Sequence, residues 1–254
     1  MPGSERPRPL VSVSTDDEAA LRLLSGGELE IVGLLPRSSN YTFLAKVANG
    51  QGQGQGQTLA VYKPEAGEAP LWDFPDGTLH RREVAAYLVA RALGWPGVPP
   101  TVLRDGPEGP GSVQLFVEFD PAQHYFTLLE RMPDEFRRVA LFDVVVNNAD
   151  RKAGHTLLST DGRVFVIDHG VCFHPAPKLR TVIWDFAGEE VPENLMDDLR
   201  GLEAKLREEP LAGDLARLLA PEEVEAIKRR LARLVRTARF PEPGPDTRYP
   251  WPVV

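Results

Sequence analysis

Asn147-Asn148-Ala149-Asp150-Arg151-Lys152-Ala153-Gly154-His155, followed by Val164-Phe165-Val166-Ile167-Asp168-His169-Gly170, is the stretch that decides the reading of this 254-residue chain. The first segment comes after an apolar run, Phe136 to Val146, that reads as a buried helix, and before Thr156-Leu157-Leu158, which reads as a strand. A polar, turn-prone loop between two buried elements is a place where catalytic groups are carried. Asp150 is suited to accept a hydroxyl proton and Lys152 to meet a transferring phosphoryl group, and His155 stands five residues after Asp150. Taken alone, the loop also reads as a solvated turn closed by an Asp–Arg pair. In the second segment a short strand, Arg163 to Ile167, ends in Asp168 and a glycine turn. A carboxylate fixed at the end of a buried strand suits a metal ligand, and Gly170 is expected to let the chain turn away. Turn chemistry by itself also favours Asp at such a place.

Upstream, Ala60-Val61-Tyr62-Lys63 puts a lysine on an otherwise apolar strand, where it would be costly to bury unpaired. The next helix, Leu79 to Leu93 with Gly94 just beyond its end, carries Glu83 as a partner. A strand lysine followed by a helix glutamate matches the ion pair with which kinases grip phosphates. The alternative is a surface lysine and a glutamate on the solvent face of the helix. Earlier still, Pro36-Arg37-Ser38-Ser39-Asn40-Tyr41 joins two strands, Glu28 to Leu35 and Tyr41 to Val47. Its small polar residues Ser38, Ser39 and Asn40 can turn backbone N–H groups toward phosphates, although no glycine helps them. The pieces run in kinase order: phosphate loop, strand Lys, helix Glu, apolar strand (Val113 to Phe119), catalytic Asp, metal Asp. This order predicts an α+β chain with a bilobal protein-kinase-like fold, a sheet-rich N-lobe and a helical C-lobe.

Outward from these motifs, residues 1–9 read as a disordered N-terminus, 10–119 as the N-lobe, 120–240 as the C-lobe and 241–254 as a Pro-rich tail. Gly50 to Gln57 alternates Gly and Gln and reads as a flexible hairpin tip. Trp72, Trp95 and Trp184 are expected to pack, and Lys228 to Arg239 to present a solvated basic helix face. His169 and His174 lack a four-ligand spacing and read as structural. A net charge of −8 argues against nucleic acid as a partner and against a broad anionic membrane surface. No long apolar run or signal-type N-terminus is visible, so no stable membrane insertion is expected. Cys172 is the single cysteine, which suits the reducing cytoplasm.

These segments resemble the phosphatidylinositol 3-/4-kinase-like branch of the protein-kinase-like fold. They are most similar to the type II phosphatidylinositol 4-kinases and an actinobacterial kinase-like group, and more distantly to the toxin kinase HipA and the Fam20 secretory kinases. The resemblance is carried by Ser38 to Phe43, Ala60 to Pro64, Gly111 to Glu118, Asn148 to Arg151 and Ile167 to Phe173. It implies that Lys63 contacts the phosphates of ATP and pairs with Glu83. Backbone groups of Phe116, Val117 and Phe119 would hold the adenine edge. Asp150, with Lys152, would serve the acceptor, and Asp168 would bind Mg²⁺. The type II enzymes carry Asn where His155 stands; an imidazole ligand there suits Mn²⁺ better than Mg²⁺. Their palmitoylated cysteine cluster has no counterpart here. The implied function is transfer of the γ-phosphate of ATP to a hydroxyl acceptor, a protein Ser/Thr or a small molecule in preference to a phosphoinositide. The alternatives are a nucleotide-binding pseudokinase scaffold and a protein nucleotidyltransferase on the same fold.

Overall fold

The computed structural model describes residues 17–36, 40–49, 56–95, 97–244 and 249–254. Ser38, Ser39, the N-terminal segment 1–9 and most of the Gly-Gln stretch lie outside them. The chain divides into two compact units. One comprises the residues up to Gly67 with Pro100–Phe116; the other comprises Glu68–Pro99 and Val117–Val254.

The first unit holds α1 (Asp17–Gly26), β1 (Glu28–Leu34), β2 (Phe43–Ala48), β3 (Gln57–Pro64), β4 (Thr101–Gly106) and β5 (Gly109–Leu115). The strands form one antiparallel sheet in the order β1-β2-β3-β5-β4. Alternation along β3 buries Thr58, Ala60, Tyr62 and Pro64, so the two-residue period turns Lys63 to the other face. Ala45, Val47, Ala60, Tyr62 and Val113 pack with Leu23 and Leu24 of α1. Register is set at Lys63↔Ser112 and Pro64↔Gly111. The Tyr62 hydroxyl donates to Gly109 O at 2.6 Å. β4 was not anticipated, because Arg104 and Asp105 give it the polarity of an edge strand. Arg104 uses that position to donate to Leu24 O and Gly27 O, both at 2.8 Å, at the end of α1. The strand expected over Val113 to Phe119 instead spans Gly109–Leu115. Ala60↔Leu115 is the last pair, and Phe116 N–H still reaches Leu59 O at 3.0 Å.

The second unit holds α2 (Leu79–Leu93), α3 (Tyr125–Leu128), α4 (Pro133–Val146), β6 (Thr156–Leu158), β7 (Val164–Val166), α5 (Glu193–Lys205), α6 (Leu211–Leu218) and α7 (Pro221–Thr237). α2 has the bounds expected from the sequence, closed by Gly94 in the left-handed region at φ 82°. It packs with α5 and α6. Its buried Arg82 pairs with Glu223 of α7 at 2.6 Å and donates to Cys172 O at 2.8 Å. α4 opens with Pro133 followed by two acids, and ends on Asn147 at φ 53°. β6 and β7 form a small antiparallel hairpin sheet. Two packing expectations fail. Trp72 is 91% exposed, and Arg230 turns in from the expected basic face of α7 to donate to Val145 O at 3.0 Å.

Candidate active site

The site in the second unit is built on an ion pair that no water reaches. Asp143 lies in the last turn of α4 and Arg151 in the loop that follows, both with side chains 0% exposed. Arg151 Nε donates to Asp143 Oδ1 and Oδ2 at 3.1 and 3.0 Å, and Nη2 to Oδ1 at 2.9 Å. Its remaining donors reach His155 O at 3.3 Å, Ile167 O at 3.0 Å and His169 Nε2 at 2.8 Å. A guanidinium only donates, so His169 Nε2 is the acceptor. Burial works against the charge on Arg151, but Asp143 outweighs it and the guanidinium pKa is raised. A buried pair persists only when its hydrogen bonds are met to this degree.

Asn148 extends the frame. Its Nδ2 donates to Asp143 Oδ1 at 3.0 Å, and its Oδ1 accepts from Asp150 N–H at 2.9 Å. The loop backbone is tied on both sides. Ala149 N–H donates to Val171 O at 3.1 Å, Arg151 N–H to Arg180 O at 3.0 Å, Arg180 N–H to Asn148 O at 2.9 Å and Val182 N–H to Arg151 O at 3.1 Å. Asp150 stands on this frame with its side chain 34% exposed and its Oδ2 3.1 Å from Lys152 Nζ. Burial pushes its carboxyl above the usual carboxylate range. Lys152 pulls it down, Asp168 pushes it up again, and the net shift is upward.

Asp168 follows β7 at φ 63°, a left-handed conformation that Asp tolerates better than most residues. The turn therefore uses the aspartate itself, where Gly170 was expected to provide it. Strain of this kind persists when neighbours hold both sides. On one side Ile167 N–H donates to His155 O at 3.0 Å. On the other, His169 N–H donates to the buried Glu83 of α2, Oε2 at 3.0 Å. Asp168 Oδ2 lies 3.3 Å from His155 Nε2. The other ring nitrogen, Nδ1, accepts from Lys152 N–H at 3.4 Å. A backbone N–H cannot accept, so the neutral ring carries its hydrogen on Nε2, facing Asp168.

Among the described residues no group of three or more His, Cys, Asp or Glu side chains is placed to hold a metal ion. The donor is the Asp168 carboxylate; His155, read from the sequence as a second ligand, here turns Nε2–H toward that carboxylate. Mg²⁺ is commonly held by one or two carboxylates, with substrate phosphates and water completing its shell, and this donor set fits that use.

Asp150, Lys152, His155, Asp168 and Glu83 are thus gathered in the helical unit. Asn40, Lys63 and Phe116 belong to the sheet unit, with Lys63 part-buried next to the end of the central strand β3, opposite Ser112. Val117 and Phe119 open the second stretch of the helical unit, where Phe119 bridges to Ser159. Asp143, Asn148 and Arg151 were missed as site residues. The available signal was Asp143 itself, an acid inside Val139-Ala140-Leu141-Phe142-Asp143-Val144-Val145-Val146 that could not be buried without a partner.

Protein Rv2133c of Mycobacterium tuberculosis is 39% identical to this chain over 272 aligned residues, covering 93% of the chain and 95% of that protein. The chain belongs to the family of Rv2133c. Residues 96–211 match the model of the family described as phosphatidylinositol 3- and 4-kinase, a span that includes Asp150, His155 and Asp168 but neither Lys63 nor Glu83. Phosphatidylinositol 4-kinase gamma 4 of Oryza sativa subsp. japonica is 34% identical over 110 residues, 36% of the chain. The chain spans only 20% of that protein's length. A solved kinase, the Helicobacter pylori proinflammatory kinase CtkA, matches with a TM-score of 0.52 at 11% identity over 85% of this chain and 94% of its own. The fold is phosphatidylinositol-kinase-like and protein-kinase-like, as the order of motifs implied. This chain is an ATP-dependent kinase-like enzyme, a phosphotransferase in general terms.

Proposed function

We propose that the chain moves the γ-phosphate of ATP to a hydroxyl, with a protein Ser/Thr or a small molecule as acceptor in preference to a phosphoinositide. One observation supports this above the others: Asp150 and Asp168 are both seated by the buried Asp143–Arg151 pair, through Asn148 in one case and Ile167 in the other. Asp150 would orient the acceptor hydroxyl and take its proton, a task helped by a carboxyl pKa above the usual range. Lys152, beside it, would stabilise negative charge on the transferring group. Asp168 would hold the divalent cation, Mg²⁺ or Mn²⁺, with His155 aligning the carboxylate and Glu83 fixing the turn behind it. The cation, when bound, would neutralise phosphate oxygens. Lys63 and Asn40, with Ser38 and Ser39, are assigned to the ATP phosphates, and the backbone at Phe116, Val117 and Phe119 to adenine. A cytoplasmic site of action goes with this reading, on the ground that the single cysteine, Cys172, suits a reducing compartment.

Asp168→Asn keeps the left-handed turn and removes the charge, so calorimetry should show metal-dependent ATP binding lost. Asp150→Asn should bind ATP normally while turnover falls by about 10²-fold or more. Transfer of label from α-labelled rather than γ-labelled ATP would overturn the phosphotransfer reading in favour of nucleotidyl transfer.

A further inference from the structure

The chain returns from the turn of Asp168 to the catalytic loop through His174 to Thr181, and its backbone is fixed along that path. Asn147, buried at the left-handed end of α4, donates from Nδ2 to His174 O and to Ala176 O, both at 2.8 Å. Its Oδ1 accepts from Lys178 N–H at 2.9 Å. One amide side chain thus meets three backbone groups of a single short stretch. Just beyond, Arg180 is joined to the loop on either side of Asp150. Its N–H donates to Asn148 O at 2.9 Å, and its carbonyl accepts from Arg151 N–H at 3.0 Å. Thr181 continues in a parallel bridge with Arg151. Residue 180 is therefore held beside Asp150 by its own backbone, whatever its side chain does.

The cations along this path differ in what they meet. Lys152 is engaged by Asp150 at 3.1 Å. Lys178 is engaged by Asp73 at 2.5 Å and lies over the Trp72 ring, 4.9 Å from its centroid. Arg180 is exposed and forms no ion pair among the described residues. Its charge still acts on the acceptor carboxylate. Burial raises the Asp150 pKa, Lys152 opposes that rise, and Arg180 opposes it as well. A guanidinium presents five N–H donors in a planar fork that fits a carboxylate with two parallel bonds. We propose that Arg180 is a specificity-determining residue that receives an acidic side chain next to the acceptor hydroxyl, so that the acceptor is a Ser or Thr with an acidic neighbour in a polypeptide. The proposal rests on the phosphotransfer reading for the part played by Asp150. An anionic membrane offers the same charge as an extended surface, and the net charge of −8 opposes the approach of such a surface as a whole. One acidic side chain on a short segment meets only the local charge of Arg180.

The test uses two fluorescein-labelled decapeptides, alike except that a central Ser is flanked by Glu in one and by Lys in the other. Anisotropy with the full chain, Mn²⁺ and a non-hydrolysable ATP analogue should show the Glu peptide bound about fivefold more tightly at low salt, the most that an exposed pair supplies. The preference should fade in about 0.5 M NaCl, where exposed charges are screened. Arg180→Glu should reverse the order of the two peptides. Arg180→Gln covers the case in which charge inversion disturbs the fold. It keeps the backbone bonds of residue 180 and should bring the two affinities to within about twofold of each other. Equal binding of the peptides by the wild type, or a preference that both variants leave in place, would overturn the proposal. A loss of affinity for the ATP analogue in both variants with the peptide preference unmoved would overturn it too, by placing Arg180 on the nucleotide phosphates. So would transfer of γ-label from ATP to phosphatidylinositol vesicles and to neither peptide. The same label reads the phosphotransfer function separately. If it moves to no acceptor while Arg180→Glu still reverses the peptide order, the kinase reading fails and the acidic-side-chain site at Arg180 stands.

Discussion

Replacing Asp143 by alanine would strand Arg151 in the interior. The guanidinium and the carboxylate are both inaccessible to water, and Asp143 takes hydrogen bonds from Arg151 Nε and Nη2 as well as from Asn148 Nδ2. Breaking a buried pair by removing one member costs about 3–5 kcal/mol, because the remaining charge is uncompensated. The Asn148 bond adds about 1 kcal/mol. The sum, about 4–6 kcal/mol, is of the order of the whole stability of an ordinary domain, about 5–15 kcal/mol. Urea unfolding followed by circular dichroism, extrapolated to water, would measure it. The paired replacement Asp143→Leu with Arg151→Met removes both charges and keeps apolar volume, so most of the loss should return, to within about 2 kcal/mol of the wild type. Turnover should stay low in the double variant, since Ile167 O and His155 O have lost their common donor. A cost under about 1 kcal/mol for Asp143→Ala, or a double variant no more stable than the single one, would refute the account of the pair as the frame of the site.

Glu83→Ala leaves the buried His169 N–H without its acceptor, so urea unfolding should show a loss of about 1–3 kcal/mol, and calorimetry a weakened metal-dependent binding of ATP as the Asp168 turn loosens. Asp150 has a folded-state carboxyl pKa above its unfolded value, so the stability it contributes in the neutral form is present at low pH and lost as pH rises through the folded value. Asp150→Asn should therefore raise the urea midpoint at pH 7 and leave it unchanged near pH 4; a midpoint lowered at pH 7 would contradict the upward shift. With Mn²⁺ and a non-hydrolysable ATP analogue bound, electron-spin-echo spectra should show no directly coordinated imidazole nitrogen, because His155 Nε2 carries its hydrogen toward Asp168. A strong nitrogen coupling that disappears in His155→Asn would make His155 a ligand after all.

What could be read from the residues was local. Asp150 announces itself as an acid in the polar loop after the apolar end of α4, Asp168 as an acid just past the short apolar β7, and α2 because its period and terminal glycine agree. The frame beneath them is written across distances that periodicity does not span. Arg151 looks like half of a surface Asp–Arg pair with its neighbour Asp150, yet its partner is Asp143, one helix end away, and the choice is made by burial. Glu83 reads as the partner of a lysine, but the contact that seats it in the helical unit is a backbone N–H, which any residue at position 169 would supply and no side chain advertises. Its helix is held there by Arg82 and Glu223, which are adjacent to nothing in sequence that links them. Glu83 and the turn of Asp168 share one unit and one hydrogen bond, so what position 83 contributes to that turn passes through the His169 N–H.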